Sequence, residues 1–282
     1  MKTFSNREIE LYYDLSKTHY EKFWDLRRSR SLHYGYWDAN TKNFHEALLN
    51  INKILSEKAG VKKEDHVLDA GCGIGGSSLW LAKNIGCPVT GISLSAKQVK
   101  SANAFAVHES LQSLAVFEQK DFTATGYADE SFDIVWAIES VCHAADKSTF
   151  ITEAYRLLKK GGRLILADFF KLPDLKGKDA KLITEWANGW AIDGFETLQN
   201  FTGHLGAAGF SEVQAEDATV HIIPSAKRLY RAWFPGVPGG FIYRLFNRKA
   251  TVFGKKNIDT AYLQYKALKK GLWTYNIILA VK

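Results

Sequence analysis

Residues 67–76 read VLDAGCGIGG: an apolar run, an aspartate near its end, then a glycine loop opening into a helix. An apolar strand ending in Asp69 delivers a carboxylate to the carboxyl edge of a parallel sheet, where open α/β folds bind their ligands. Gly71, Gly73, Gly75 and Gly76 lack Cβ atoms, so the backbone there turns tightly and lies against a ligand. Ser77 and Ser78 then start a helix whose free N–H groups favour an anionic group. One tight turn does not need four glycines in six positions.

Gly71, Gly73 and Gly76 satisfy the literal pattern G-x-G-x-x-G, which alone is weak. A dinucleotide site normally adds an acidic residue about twenty positions on, to hold the ribose hydroxyls. No Asp or Glu occurs between Ala70 and His108, and the second apolar run, PVTGISLS, carries Ser93 where that acid belongs. The nicotinamide reading therefore lacks its usual second support.

Beyond the loop, apolar runs alternate with amphipathic stretches. The pattern predicts strands near 66–69, 88–92, 115–118, 132–137, 162–168 and 211–218, and a last one within WTYNIILAVK. Helices are predicted near 77–85, 95–111, 147–159 and 197–208, with two earlier ones at roughly 6–29 and 43–58. This rhythm means βαβ units, and so an α/β fold with a doubly wound, mostly parallel sheet of seven strands. Two segments, 171–195 and 224–257, stand outside the alternation and follow strands, on the edge where a substrate cap belongs. PGVPGG at 235–240 is expected to break any helix in the second.

At 282 residues the chain suits one such domain with insertions and a full core. Three cysteines, an odd and sparse count without zinc-like spacing, argue for reduced thiols and against a disulfide scaffold, and no metal is expected. No apolar run of membrane-spanning length is present, so a cytoplasmic protein is expected. The net charge of +7 is unevenly placed: Ala218 to Ile258 holds eight Lys and Arg and no acid, interleaved with aromatic and aliphatic residues. Such a stretch suits peripheral contact with an anionic membrane surface or an anionic substrate. It is equally consistent with a solvated cap whose aromatics pack onto the domain below. No familiar nucleic-acid module is visible, so no nucleic-acid partner is expected.

VLDAGCGIGG, then SFDIVWAIESVCHAADK at 131–147, then EAYRLLKKGGRLILADF at 153–169 resemble the class I S-adenosylmethionine-dependent methyltransferases in order and spacing. Within that superfamily the chain is most similar to the sterol C-methyltransferases and the tocopherol-type methyltransferases. Ala137-Ile138-Glu139 followed by Cys142-His143-Ala144 looks like the sterol enzymes' acid-and-histidine motif. Ser93 replaces the common ribose-binding acid, as in other lipid-directed members. YYDLSKTHYEKFW at 12–24 resembles the sterol group's N-terminal segment, whereas LHYGYW at 32–37 looks more like tocopherol-type and small-molecule relatives.

The resemblance implies a Rossmann-like methyltransferase fold in two parts: an N-terminal helical segment, 1–60, covering the cofactor, and a methyltransferase domain, 61–282, with the cap insertions. It implies S-adenosylmethionine as cofactor, S-adenosylhomocysteine as product, and a lipophilic acceptor methylated at carbon. The alternative acceptor is the nitrogen or oxygen of a small amine, alkaloid or phenol. Asp69, Gly71 and Gly73 would hold the methionine end; Ser93, Leu94 and Gln98 the ribose and adenosine side; Asp121 and Phe122 the adenine. Tyr13, beside Asp14, would close the N-terminal helix over the methionine carboxylate.

Methyl transfer to a carbon–carbon double bond leaves a carbocation, so the site needs aromatic faces and a base. Tyr34, Tyr36 and Trp37 are expected in the acceptor pocket. Glu139 and His143, four residues apart after the fourth strand, share a face if one helical turn follows, making them the expected catalytic acid–base pair. His33 and His45 are weaker candidates.

Overall fold

The computed structural model describes residues 4–12, 26–246 and 254–282, with side chains omitted at Arg27 and from Pro235 to Ile258. Helix α1 occupies residues 6–12 and a short α2 spans Leu26–Ser29; Tyr13 and Asp14 lie outside the described residues. After α3 (Phe44–Ala59) come β1 (Val67–Ala70), α4 (Gly76–Asn84), β2 (Val89–Ser93), α5 (Ala96–His108), β3 (Ala115–Gln119) and β4 (Phe132–Ile138). A 3₁₀ turn at Val141–His143 leads into α6 (Lys147–Leu157), β5 (Leu158–Lys171), α7 (Gly177–Gly189), α8 (Leu198–Ala208) and β6 (Ser211–Asp217). Helices α9 (Thr219–Phe246) and α10 (Gly254–Lys269) precede β7 (Trp273–Val281).

The seven strands form one sheet in the order β3-β2-β1-β4-β5-β7-β6. All neighbours are parallel except β7, which runs antiparallel to both β5 and β6. Chain order reverses between β1 and β4, and the crevice outside their carboxyl ends is where such a sheet binds ligands. β1 and β2 are buried along their whole length, as strands covered on both faces by helices must be. Two apolar layers flank the sheet, one built around Trp136, Phe169, Trp186, Trp273 and Tyr275, the other around Phe132, Phe150, Phe170 and Phe201.

The expected strands are all present, and the helices fall close to their expected places, except that residues 13–25 of the first, expected at 6–29, lie outside the described residues. Three differences have physical causes. Helix α5 stops at His108 rather than near 111, because Ser110 takes a left-handed φ of 59°. β5 begins at Leu158, four residues early: it follows α6 without a loop, and Gly161, at φ 74°, bends the strand instead of ending it. PGVPGG does not break its helix, since α9 continues through it. Proline's fixed φ near −65° is helical; each proline removes one backbone bond, and the packing of α9 against α10 offsets that loss.

The insertion at 171–195 contains α7, which packs on α10 and brings Trp186 and Trp190 over the sheet. Phe4, Ile9 and Tyr12 of the N-terminal segment pack on Ala191, with Leu94 and Trp190 beside them. The Phe4 N–H donates to the Asp193 carboxylate at 2.6 Å. The first residues and the end of the insertion thereby roof the same edge of the sheet.

Candidate active site

A cleft of about 860 Å³, open solvent included, lies at the carboxyl ends of β1, β2 and β4. Its floor is the glycine loop. Gly71 has φ 93°, and a Cβ there would lie 2.3 Å from the Ser140 Cβ. The Ser140 hydroxyl donates to the Ala70 carbonyl at 2.6 Å, so the β1 and β4 loops touch at this point. Gly73, at φ 55°, has no atom within 4 Å of where its Cβ would stand, so bare backbone faces the cleft. A ligand can rest directly on that peptide.

Asp69, 3 % exposed, accepts from the Ser78 hydroxyl at 2.5 Å. Burial raises its carboxyl to about 6, against the opposing hydrogen bonds from Ser78. Ser93 Oγ lies 2.7 Å from Gln98 Oε1 and accepts from the Ser95 N–H, so the hydroxyl donates to the amide carbonyl at the end of β2. Leu94 and Phe122 add apolar wall, and Phe122 meets Phe150 edge to face. Asp69, Gly71, Gly73, Ser93, Leu94, Gln98 and Phe122, expected from the sequence, thus line a single cleft.

Asp121 stands apart from the lining residues. Its Oδ1 accepts from the N–H and hydroxyl of Thr123, a local turn, and its Oδ2 from Asn6 of α1 at 2.6 Å. It fastens α1 near the cleft.

Glu139 and His143 both line the cleft, although a 3₁₀ turn rather than an α-helix follows β4. Glu139 has φ 49°, a left-handed conformation that costs a non-glycine residue energy and persists where surroundings impose it. Its N–H is pinned to the Ala167 carbonyl at 2.8 Å. Its Oε1 accepts from the Tyr34 N–H at 2.7 Å and from the Tyr275 hydroxyl at 2.9 Å. Burial pushes the carboxyl well above the usual range, while these two donors favour the anion. His143 is lowered to about 4, chiefly by burial, with a hydrogen bond to the Ala191 backbone opposing it.

Tyr34 and Tyr36 are not on the cleft. Tyr34 is fully buried, donates from its hydroxyl to Gln264 Oε1 at 2.9 Å, and packs on Phe169, Trp190 and Tyr275. Tyr36 stacks on His221, and the Trp37 indole donates to Ser225 Oγ at 2.9 Å. The aromatic run is a strap that ties the N-terminal segment to α9, because burying rings on both sides of a short extended stretch removes more apolar surface than lining an open cleft. Tyr34 reaches the site only through its backbone N–H.

Several residues escaped the sequence reading. Asp168, 3 % exposed at the end of β5, accepts from the Cys142 N–H at 2.9 Å and is raised by burial to about 6. Its place on the carboxyl edge, as with Asp69, was the available signal. Lys147 is buried and donates to the carbonyls of Cys142, Ala144 and Gly194, which locks the His143 turn to the 171–195 insertion. Nothing in the sequence distinguishes it from an ordinary helix-start lysine. Ile9, Glu10 and Arg30 also reach the cleft wall.

His33 lines the cleft as well. It is 6 % exposed, and its Nδ1 donates to the Tyr34 carbonyl at 2.9 Å. Burial lowers its ring from 6.5 to about 4. Between those values the unfolded chain takes up a proton that the folded chain does not, so His33 erodes stability as pH falls. His33→Asn cannot titrate. The stability of the parent minus that of the variant is expected to drop by about 3 kcal/mol from pH 7 to pH 4, read by denaturant unfolding at each pH. A difference independent of pH would refute a buried neutral ring.

A family model described as a methyltransferase domain matches residues 68–166, which run from β1 into β5. The 27-O-demethylrifamycin SV methyltransferase of Amycolatopsis mediterranei is 36% identical over 211 residues, 73% of this chain and 77% of that protein. A sterol 24-C-methyltransferase of Neurospora crassa is 30% identical over 211 residues, 73% of this chain and 54% of its own. Among solved structures, a mycolic acid cyclopropane synthase superposes with a TM-score of 0.85 at 16% identity, over 100% of this chain and 99% of the other, which shows a common fold.

Proposed function

The chain belongs to the class I S-adenosylmethionine-dependent methyltransferases, and from that premise we propose that it methylates a lipophilic small molecule at carbon, on a sterol-, terpenoid- or tocopherol-like acceptor. The observation that carries this reading is Glu139: a carboxylate held away from water on the cleft wall, fixed by the Tyr34 N–H and the Tyr275 hydroxyl.

The cleft residues fit the cofactor. Backbone at Gly71 and Gly73 and the Asp69 carboxylate receive the methionine end, Ser93 and Gln98 the ribose, and Leu94 and Phe122 the flat base. Residues 1–60 act as the cover, with Ile9 and Glu10 on the wall and Asn6 clasping Asp121.

The cofactor supplies a methyl group already activated as a sulfonium. What remains for the protein is alignment, exclusion of water and removal of a proton. A carboxyl whose basicity is raised by burial is a better proton acceptor once ionised, and positive charge in the cleft opposes the burial and favours the anion. Glu139 therefore collects the proton released when a methylated carbon cation collapses to an alkene, and His143 orients the acceptor beside it. The Tyr275 hydroxyl that holds Glu139 belongs to a buried aromatic cluster with Tyr34, Phe169 and Trp190, which backs the cleft wall without lining it.

The test is incubation of the protein with a cell extract and a deuterated methyl donor, read by mass spectrometry. Label is expected in an organic-soluble product that keeps it through acid hydrolysis and whose fragments place it on carbon. A second reading keeps the cofactor and moves the acceptor atom to nitrogen or oxygen of an amine, alkaloid or phenol. It is favoured by the rifamycin relative, whose named acceptor is 27-O-demethylrifamycin SV. Label confined to a heteroatom would establish the second and remove the first.

A further inference from the structure

Helix α9 carries a surface that the cleft does not use. Val220, Ile223 and Phe234 are 65 %, 40 % and 55 % exposed, three of the seven large exposed hydrophobic residues among those described. With exposed Lys227 and Arg231 they fall at spacings of three and four, which aligns them in one stripe along the helix. The rest of the helix is fixed: Ile222, Ser225 and Ala226 are buried, and on the flank Tyr230 and Trp233 pack on Tyr262, Tyr230 also on Tyr265, with the Phe234 ring resting against both.

Beside it runs a second cavity, about 1140 Å³ including open solvent, lined by Trp37, Phe44, Arg228, Leu229 and Arg231 among others. The Arg228 guanidinium lies 4.6 Å over the Phe44 ring. The surrounding chain contains no carboxylate from Ala218 to Ile258, only eight Lys and Arg. Apolar side chains in water beside Lys227, Arg228 and Arg231, which have no ion-pair partner among the described residues, complement one phase: apolar groups enter the headgroup–acyl boundary while cations meet anionic headgroups.

We propose that this face of α9 seats the protein on an anionic phospholipid bilayer, with Lys227, Arg228 and Arg231 on the headgroup phosphates and Val220, Ile223 and Phe234 inserted at the boundary. A nucleic-acid duplex would use the cations but gain nothing from the exposed aliphatic groups and the single phenyl ring, so the bilayer is the better complement. The cleft is close by: His33 on its wall and Trp37 in the groove are four residues apart, a reach of at most about 14 Å. The docking stands whether the methylated atom is carbon, oxygen or nitrogen.

The test is flotation of the full chain with vesicles of phosphatidylcholine alone or mixed with phosphatidylglycerol. Binding is expected to the mixed vesicles, to weaken with added salt, and to be absent from phosphatidylcholine alone. K227Q/R228Q/R231Q together should weaken it roughly a hundredfold at low salt. Phe234→Ser should weaken it about tenfold with the salt dependence retained. K178Q/K181Q, on α7, should leave it within about twofold, since their charges lie on another element. Each variant is checked for unchanged affinity for S-adenosylhomocysteine, which reports the intact fold. The proposal is overturned by indifference to lipid charge, by a triple variant that binds like the parent, or by an equal loss in the α7 control. Binding to duplex nucleic acid in place of vesicles would also overturn it, as would a concentration-dependent dimer that Phe234→Ser dissolves.

Discussion

Glu139→Gln is expected to lower turnover by roughly two to four orders of magnitude while leaving affinity for S-adenosylhomocysteine within about twofold. The glutamine amide oxygen can still accept from the Tyr34 N–H and the Tyr275 hydroxyl, so packing and the φ of 49° are preserved. Only the ability to take a proton is removed. Because burial raises this carboxyl, turnover of the parent should climb with pH as the group ionises, and the variant should lose that limb. Single-turnover rates across pH separate the two roles open to Glu139. A variant within about threefold of the parent, with the same pH profile, would reduce Glu139 to an anchor for the Tyr34 strap.

Gly71→Ala should be the most damaging glycine-to-alanine change among the described residues. At φ 93° an L-residue is strained by about 1–3 kcal/mol, and the new Cβ would stand 2.3 Å from the Ser140 Cβ. Ser140 cannot retreat without breaking its bond to the Ala70 carbonyl, and it is the residue after Glu139. Overpacking adds about 1–3 kcal/mol more, so a loss of several kcal/mol is expected, with cofactor binding and turnover both lost. Gly73→Ala is the informative partner, because its Cβ meets nothing within 4 Å. Its melting temperature should fall far less, yet S-adenosylhomocysteine affinity should drop at least tenfold as the methyl enters the cleft. Thermal melts and calorimetric titration on the pair divide fold from site. Full affinity in Gly73→Ala would mean the cofactor does not lie on that loop.

How much could be read from the sequence depended on whether a residue's role is local. The strands were legible because runs such as FDIVWAI are buried along nearly their whole length and bounded by turn residues. The glycine loop was legible because close approach to a ligand is a backbone property that glycine alone supplies. Glu139 and His143 were found by their position after β4, and the 3₁₀ turn still brings both to the cleft. Tyr34 and Tyr36 were misplaced because an aromatic cluster has the same composition whether it faces an empty cleft or α9; contacts more than 180 residues away decide it. Asp168 and Lys147 were missed for a related reason, since a buried charge is defined by partners that the sequence does not display side by side.

The arrangement of the last strand has a consequence for how the protein is made. β7 sits between β5 and β6, so β6 has no partner, and β5 none on that flank, until the youngest strand exists. Roughly 100 residues separate the end of β5 from the start of β7, which at ribosomal speeds leaves the flank of β5 uncovered for about 5–20 s in each round of translation. An apolar strand with bare amides is a template for pairing with another nascent molecule. Slow codons after β5, or ribosome stalling within α9, would lengthen that interval, and expression yield should respond to both.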